Sequence, residues 1–200
     1  MNDVSRHYDE LIDEHNDPVH DPKPLKEYME KWDGSRFLEC MNLDKNKTVL
    51  EIGIGTGRIA MKTAPLCKCL YGIDISARTI QRASDHLSAN RNIKLICGDF
   101  MTYEFNEQFD IIYSSLTFMH IEDKKTAIQK VSSLLHDKGL FVLSIDKNQD
   151  SFIDMGTRRI NIYPDNPADI CCCILNADLR PVNQFEVDHA YIMVSKKGSL

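Results

Sequence analysis

An apolar run that breaks into three alternating glycines, between residues 48 and 58, constrains the fold more than any other part of this 200-residue chain. Glu51 is the one acid in the run, and the glycines are Gly53, Gly55 and Gly57. An apolar run that stops at glycines predicts a buried strand entering a tight turn. A helix is predicted directly after the turn, and its free N–H groups and positive dipole end point toward whatever binds there.

The spacing of the glycines argues against a dinucleotide ligand. A dinucleotide-binding turn has the pattern Gly-x-Gly-x-x-Gly, but Arg58 occupies the third glycine position here. A side chain at that position obstructs the close packing of helix on strand. Glu51 would also repel a pyrophosphate, so an acid before the turn suits a ligand with a cationic group.

Two further acids follow predicted strands. Asp74 ends an apolar-leaning run that begins at Cys67, and an acid at the tip of the second strand of a β-α-β unit can accept both hydroxyls of a ribose. Asp99 follows a short predicted strand that begins at Ile93, and Phe100 comes directly after it. The chain thus places an acid at the end of each of its first three predicted strands.

The pattern acid-x-Gly-x-Gly-x-Gly, with these later acids, resembles class I S-adenosylmethionine-dependent methyltransferases over roughly residues 48–197. The resemblance implies S-adenosylmethionine as cofactor, with a sulfonium, an ammonium and no phosphate, and S-adenosylhomocysteine as product. It also implies that Asp99 hydrogen-bonds the adenine amino group and that Phe100 covers the ring. The cofactor-binding residues that it assigns are Glu51, Gly53, Gly55, Gly57, Asp74, Ile75, Asp99, Phe100, Ser114 and Ser115.

The fourth predicted strand and the loop after it bear on the acceptor. Many relatives that methylate exocyclic base amines or glutamine amides carry Asn-Pro-Pro-Tyr or Asp-Pro-Pro-Tyr where this chain has Ser114 and Ser115. The resemblance therefore disfavours those substrates and favours a small-molecule oxygen or nitrogen acceptor. His120, in the loop at the carboxyl edge of the sheet, is the best-placed general base. A structural or cofactor-contacting His120 is an alternative of equal weight.

Strands and helices alternate along the chain, which predicts an α/β, Rossmann-like doubly wound fold with helices on both faces. We expect a seven-stranded, mostly parallel sheet with an antiparallel final strand at 189–197, partnered by residues 182–187. One structural domain is predicted, with an N-terminal helical lid segment at 1–45 and an S-adenosylmethionine-binding methyltransferase domain at 46–200.

The N-terminal segment is predicted to cover the cofactor cleft, as such segments often do in the family. It is expected to contain a helix over 3–15, a turn-rich connector over 17–24 and a second helix over 25–41. The residues expected to reach the cofactor or the acceptor are Tyr8, Tyr28, Trp32 and Arg36. The alternative is that Tyr28 and Trp32 pack the second helix onto the sheet, because aromatics at helical spacing are usually core residues.

The composition narrows the possible partners. A formal net charge of −6 disfavours sequence-independent binding of nucleic acid. No apolar stretch approaches the ~20 residues of a membrane span, and we expect no secretory peptide at the acidic, polar N-terminus. The seven cysteines show no Cys-x-x-Cys spacing, so we expect reduced thiols, a cytoplasmic protein and no metal site.

The preferred prediction is an enzyme that transfers a methyl group by direct in-line displacement, without a covalent intermediate. One alternative is a nicotinamide oxidoreductase, against which Arg58 and Glu51 argue. Another is a non-catalytic S-adenosylmethionine-binding or interaction module, because a fold does not fix a function. A third is a relative that transfers another group from a related sulfonium, such as an aminopropyl transferase.

Overall fold

One mixed sheet organises the fold. The computed structural model describes residues 3–198, so the terminal residues 1, 2, 199 and 200 of the predicted domain ranges lie outside the described chain. The strands are β1 (Thr48–Ile52), β2 (Cys69–Asp74), β3 (Ile93–Cys97), β4 (Phe109–Ser115), β5 (Leu135–Asp146), β6 (Phe152–Asp154), β7 (Arg159–Asn161), β8 (Leu179–Glu186) and β9 (Ala190–Lys197). The α-helices are α1 (Asp3–Asp13), α2 (Lys23–Met29), α3 (Gly34–Glu39), α4 (Ala60–Thr63), α5 (Ala77–His86), α6 (Lys124–Leu134) and α7 (Pro167–Leu175).

The main sheet has the strand order β3-β2-β1-β4-β5-β9-β8. The first five strands pair in parallel, and β9 lies antiparallel to both β5 and β8. The predicted seven-stranded, mostly parallel sheet with an antiparallel final strand is therefore confirmed. The strand order switches sides between β1 and β4: β2 and β3 extend the sheet on one side of β1, and β4 and β5 extend it on the other. Ligands of open α/β sheets bind outside the carboxyl ends of the strands at such a point.

Alternate residues of the central strands pack on opposite faces of the sheet, as pleating requires. In β1, Leu50 joins one cluster of buried side chains and Val49 joins the other. Side chains of α6 and α7 complete the first cluster, and side chains of α3, α4 and α5 complete the second. Helices thus cover both faces, which confirms the Rossmann-like doubly wound architecture.

The outer strand β8 is mostly exposed and forms one edge of the sheet. Its pairing with β9 shifts register between Pro181 and Asn183. Proline has no N–H to donate and is confined to edges or irregular positions of a sheet. The prediction of an antiparallel partner strand over 182–187 is confirmed, although the observed strand β8 begins earlier, at Leu179.

The glycine turn follows β1, and the N–H groups of Gly53 and Ile54 both donate to the carbonyl of Ile73 at the end of β2. Gly53 has φ +75°, and a Cβ there would lie 1.9 Å from Oγ1 of Thr117. The helix after the turn has only one α-helical turn and continues as a 3-10 helix to Leu66. Pro65 explains the change, because it has no N–H for an α-helical hydrogen bond.

The N-terminal segment differs from the prediction in one respect. The single helix expected over 25–41 is wrong, because α2 and the 3-10 turn after it end at Trp32, and a separate helix, α3, begins at Gly34. Gly34 has φ +70°, outside the helical range, and the Asp33 side chain accepts a hydrogen bond from its N–H group. A short hairpin, β6–β7, was not predicted. None of the helices within residues 3–198 has the length and apolar character needed to span a membrane.

Gly53→Ala should lower the free energy of unfolding by about 2–4 kcal/mol, because the new methyl group both meets Thr117 and sits at a positive φ. Gly156→Ala is the matched control, since Gly156 has φ +76° and open space around its Cβ position. The control should lose only about 1 kcal/mol. Chemical denaturation of both variants checks this, and equal losses would contradict the close approach at Gly53.

Candidate functional site

A cavity of about 500 Å³ lies at the carboxyl ends of β1, β2 and β4. Its floor is the glycine turn, and its walls come from the segments that follow β2, β3 and β4. The N-terminal segment contributes four of the lining residues, Val4, Tyr8, Pro18 and Met29. The cavity therefore lies where parallel sheets of this kind bind ligands, with the N-terminal segment against it.

Asp74 is held rigidly at the end of β2. One carboxylate oxygen accepts the N–H of Gly55 at 3.0 Å, and the other accepts the N–H of Ser76 at 3.0 Å. Burial raises the pKa of Asp74, while these backbone donors oppose the shift. Because a carboxylate has about four lone-pair positions, the two donors leave acceptor capacity for a ligand in the cavity.

Asp99 and Phe100 form the neighbouring wall. Asp74 pairs in register with Cys97, so the turn that begins at Gly98 brings Asp99 to the same edge of the sheet. The Asp99 carboxylate accepts the N–H of Met101 at 2.8 Å, and the Phe100 ring is buried. An acceptor group and an apolar face lie side by side here, as a flat heteroaromatic ring requires.

Glu51 lies beneath the glycine turn and lines the cavity while being 3% exposed. The hydroxyl of Tyr113 donates to its carboxylate at 2.7 Å, and the same hydroxyl lies 2.9 Å from Oγ1 of Thr63. Burial raises the pKa of Glu51 to about 8. A cationic group bound next to Glu51 would favour its ionised form.

Arg58, which stands where a dinucleotide-binding turn has its third glycine, instead binds the N-terminal segment. Its guanidinium donates to both carboxylate oxygens of Asp33, at 3.1 and 2.5 Å. Asp33 is 4% exposed and also accepts a hydrogen bond from Ser115 Oγ at 3.1 Å. Asp33 was not singled out from the sequence; the Asp-Gly pair that ends the helix is the signal that marks it.

Tyr8 and His120 meet at the cavity wall. The Tyr8 hydroxyl lies 2.7 Å from Nε2 of His120, and the two rings are edge to face. Burial lowers the pKa of His120 to about 4 and raises the pKa of Tyr8. At neutral pH the site therefore holds a neutral imidazole next to a protonated phenol.

A second cavity, of about 550 Å³, lies between α1 and the β6–β7 hairpin. Val4 and His120 line both cavities. The second cavity is charged: Arg158 pairs with Glu10 and Glu14, and its Nε donates to Nδ1 of His7 at 3.1 Å. His120 therefore stands where the two cavities meet. This region was not predicted from the sequence, because the hairpin strands have only three residues each.

The structure brings most of the predicted site residues to the first cavity. Those that line it are Glu51, Gly53, Gly55, Asp74, Ile75, Asp99, Phe100, Ser115, Tyr8 and His120. Gly57 and Ser114 do not line it: a Cβ on Gly57 would lie 3.0 Å from Leu87, and the Ser114 hydroxyl donates to the carbonyl of Ile52. Both positions therefore contribute to packing around the turn.

The structure does not bring the three lid candidates of the second predicted helix to the cavity. Tyr28 is 48% exposed and packs against Trp32. Trp32 packs against His189 at 4.7 Å between ring centroids, and Arg36 stacks over the Phe185 ring at 4.0 Å. These contacts place Trp32 and Arg36 against the C-terminal part of the sheet, outside the cavity.

Two sequence comparisons bear on this site. Residues 49–139 match the family model described as a methyltransferase domain. The chain is 33% identical over 123 residues to a protein named uncharacterized methyltransferase from Anoxybacillus flavithermus. The aligned region covers 60% of this chain and 57% of that relative. The match therefore spans less than two thirds of the relative's length.

Solved structures share the fold over nearly the whole chain. The N-methyltransferase NodS from Bradyrhizobium japonicum WM9, in complex with S-adenosyl-L-homocysteine, gives a TM-score of 0.76 at 18% identity and covers 99% of this chain and 100% of NodS. The 4+2 cyclase SpnF gives a TM-score of 0.73 at 14% identity and covers 98% of this chain and 96% of SpnF. At these identities the similarity establishes the fold and leaves the reaction open.

The raised pKa of Glu51 makes a prediction about stability. An unfolded glutamate has a pKa of about 4.3, so between that value and about 8 the folded state holds a proton that the unfolded state has released. The contribution of Glu51 to the free energy of unfolding is therefore fully present at low pH and is lost as the pH rises toward 8. Glu51→Gln should therefore gain melting temperature relative to the parent chain as the pH rises.

Thermal unfolding at pH 5, 7 and 9 measures this trend. The difference in melting temperature between Glu51→Gln and the parent should grow up to about pH 8 and then level off. Glu39→Gln, at an exposed position, is the control and should show no such trend. A difference that stays constant across the three pH values would mean that Glu51 ionises as freely in the folded chain as in the unfolded one.

Proposed function

We propose that this chain, whose residues 49–139 match the methyltransferase domain model, is an S-adenosylmethionine-dependent methyltransferase with a small-molecule oxygen or nitrogen acceptor. The observation that carries the proposal is the convergence of Glu51, the glycine turn, Asp74 and the Asp99–Phe100 pair on one cavity. Each of these groups has the chemistry to bind a different part of S-adenosylmethionine. NodS, which shares the fold, was solved in complex with S-adenosyl-L-homocysteine, and that complex supports the same cofactor here.

The donor set suits S-adenosylmethionine better than a phosphate-containing cofactor. Asp74 offers a fixed acceptor for ribose hydroxyls, and Asp99 offers one for an adenine amino group beside the apolar face of Phe100. Glu51 offers a carboxyl group whose ionised form a bound cationic group would favour. Arg58 faces Asp33 and is neutralised by it, so it does not offer a free charge to a pyrophosphate, which argues against a nicotinamide cofactor.

When bound, the cofactor supplies a methyl group on a sulfonium, which is already an activated electrophile. The work left for the chain is to position an acceptor in line with that methyl group and to exclude water. Holding two reactants in the correct geometry can remove ~7–11 kcal/mol of a barrier. Val4, Tyr8, Pro18 and Met29 form the part of the cavity wall that shields the reacting groups.

We assign proton acceptance to His120, with Tyr8 as its partner. The neutral imidazole lines both cavities, so an acceptor entering from the β6–β7 side would reach His120 before the cofactor. The Tyr8 hydroxyl, 2.7 Å from Nε2, holds the ring in place. An oxygen or nitrogen acceptor that arrives protonated would pass its proton to this pair.

The second candidate function is cofactor binding without methyl transfer, or another reaction on the same fold, and one fold neighbour supports it. SpnF has the same fold and is named a 4+2 cyclase, so the fold alone does not require methyl transfer. Release of S-adenosylhomocysteine across a panel of small oxygen and nitrogen acceptors separates the two functions. Release with any acceptor supports the methyltransferase, whereas tight cofactor binding without release across the panel favours a binding module or another reaction.

Asp74→Ala should weaken S-adenosylhomocysteine binding by at least tenfold, because it removes two hydrogen bonds to a charged acceptor, each worth about 1.5–3 kcal/mol. Isothermal titration measures the affinity, and Asp137→Ala, at an exposed position far along the chain, is the control. Unfolding curves confirm that the glycine turn survives the loss of the Gly55 contact. Unchanged affinity would reduce Asp74 to a turn residue.

His120→Gln separates the two roles that the sequence left open for this residue. If His120 accepts the proton of the acceptor, turnover should fall by roughly 10²–10⁴-fold while S-adenosylhomocysteine affinity stays close to that of the parent chain. Tyr8→Phe, which removes only the hydroxyl bound to Nε2, should lose part of the same activity. A variant that loses affinity instead of turnover would identify His120 as a cofactor contact.

A further inference from the structure

Three metal-ligating side chains converge outside the cofactor cavity. Asp17 and His20 belong to the connector between α1 and α2, and His86 is the last residue of α5. One donor atom from each side chain lies within 4.8 Å of the others. No part of the proposed methyl transfer uses these groups, so their convergence needs an explanation of its own.

The orientation of His86 is fixed by the glycine turn. Its Nδ1 lies 2.8 Å from the carbonyl oxygen of Thr56, a contact that requires the hydrogen on Nδ1. A neutral imidazole then presents the lone pair of Nε2 on its other side. A backbone carbonyl that holds one ring nitrogen while the other faces a metal is the usual arrangement of metal-bound histidines.

The Asp17 carboxylate faces that lone pair. Its side chain is 9% exposed, one oxygen accepts the N–H of Val19, and the other lies 3.2 Å from Nε2 of His86. Neither Asp17 Oδ2 nor His86 Nε2 has a hydrogen-bond partner among residues 3–198. Two buried acceptors that face each other are unfavourable unless a cation lies between them. Arg82, whose Nε lies 3.8 Å from the same Asp17 oxygen, forms a longer ion pair with it and leaves the space between Asp17 and His86 open to a metal ion.

His20 completes the cluster from the solvent side. The N–H of His20 donates to the Asp17 carbonyl, which closes the turn that places both side chains together. The His20 ring packs edge to face on His86 at 4.7 Å between centroids. Because His20 is exposed, an ion can enter the site from solvent without opening the fold.

We propose that Asp17, His20 and His86 bind a divalent transition-metal ion, for which Zn²⁺ is the best match. Two imidazole nitrogens and one carboxylate oxygen are typical zinc ligands, with a fourth position left for water. Ligand atoms in a tetrahedral site with bonds of about 2.0–2.2 Å lie about 3.3–3.6 Å apart. The Asp17–His86 distance of 3.2 Å is close to this spacing.

A metal at this position would join three separate parts of the chain. Asp17 fixes the connector, His86 fixes the end of α5, and the Thr56 carbonyl extends the link into the glycine turn. Pro18, next to Asp17, lines the cofactor cavity. The proposal departs from the expectation of no metal site, which considered ligand spacing along the sequence and could not see His86 beside the connector.

Titration of Zn²⁺ into the metal-stripped full chain, under reducing conditions, tests the proposal without any cofactor. We expect one saturable site per chain and a rise in melting temperature with Zn²⁺. His20→Ala, an exposed position that should not disturb folding, should weaken binding by at least about tenfold and remove the thermal shift. His136→Ala, at an exposed position outside the cluster, is the control and should bind like the parent chain.

Replacing Zn²⁺ with Co²⁺ shows which side chains hold the ion. Nitrogen and oxygen ligands give only weak visible bands, whereas thiolates add an intense near-ultraviolet charge-transfer band. A thiolate band, or binding that His20→Ala leaves unchanged, would overturn the proposal in favour of the cysteines. The absence of saturable binding up to millimolar Zn²⁺ would also overturn it.

Discussion

The buried ion pair between Asp33 and Arg58 is the interaction on which the arrangement of the site depends. Asp33 ends one helical stretch of the N-terminal segment and starts the next, and Arg58 leads from the glycine turn into α4. The two-point contact between them, with a third hydrogen bond from Ser115, joins the segment, the turn and the end of β4. Because removal of one partner from such a pair leaves a buried charge, the contact is costly to break.

Arg58, which distinguishes this turn from a dinucleotide-binding turn, therefore has a structural role of its own. A glycine at position 58 would allow closer packing of helix on strand but would leave Asp33 without its cation. The chain instead brings the N-terminal segment over the turn, where Tyr8 and Met29 become cavity walls. Arg58 thus both departs from the dinucleotide pattern and anchors the N-terminal segment beside the glycine turn.

The fold and the floor of the site could be predicted from the sequence because both depend on local patterns. The strand before Gly53, the acid at Asp74 and the acid at Asp99 each follow from an apolar run and the residue that ends it. The walls could not be predicted in this way. Tyr28 and Trp32 have the spacing and chemistry of site residues, but contacts with His189, far along the chain, decide where they point.

The residues that could not be found from the sequence share this dependence on distant partners. Asp33 matters because of Arg58, and the β6–β7 hairpin matters because α1 packs against it. Gly57 and Ser114 show the opposite case, since both belong to the family's pattern but serve the packing of the turn. A motif therefore indicates which segment forms a site more reliably than which atoms face the ligand.

The exposed strand β8 has a consequence for the behaviour of the protein in solution. A free sheet edge offers unpaired N–H and C=O groups to any other strand, and such edges promote aggregation. Pro181 removes one donor from this edge, and the irregular pairing beside it interrupts the ladder on which another strand would add. Both features oppose the addition of a further strand at this open edge.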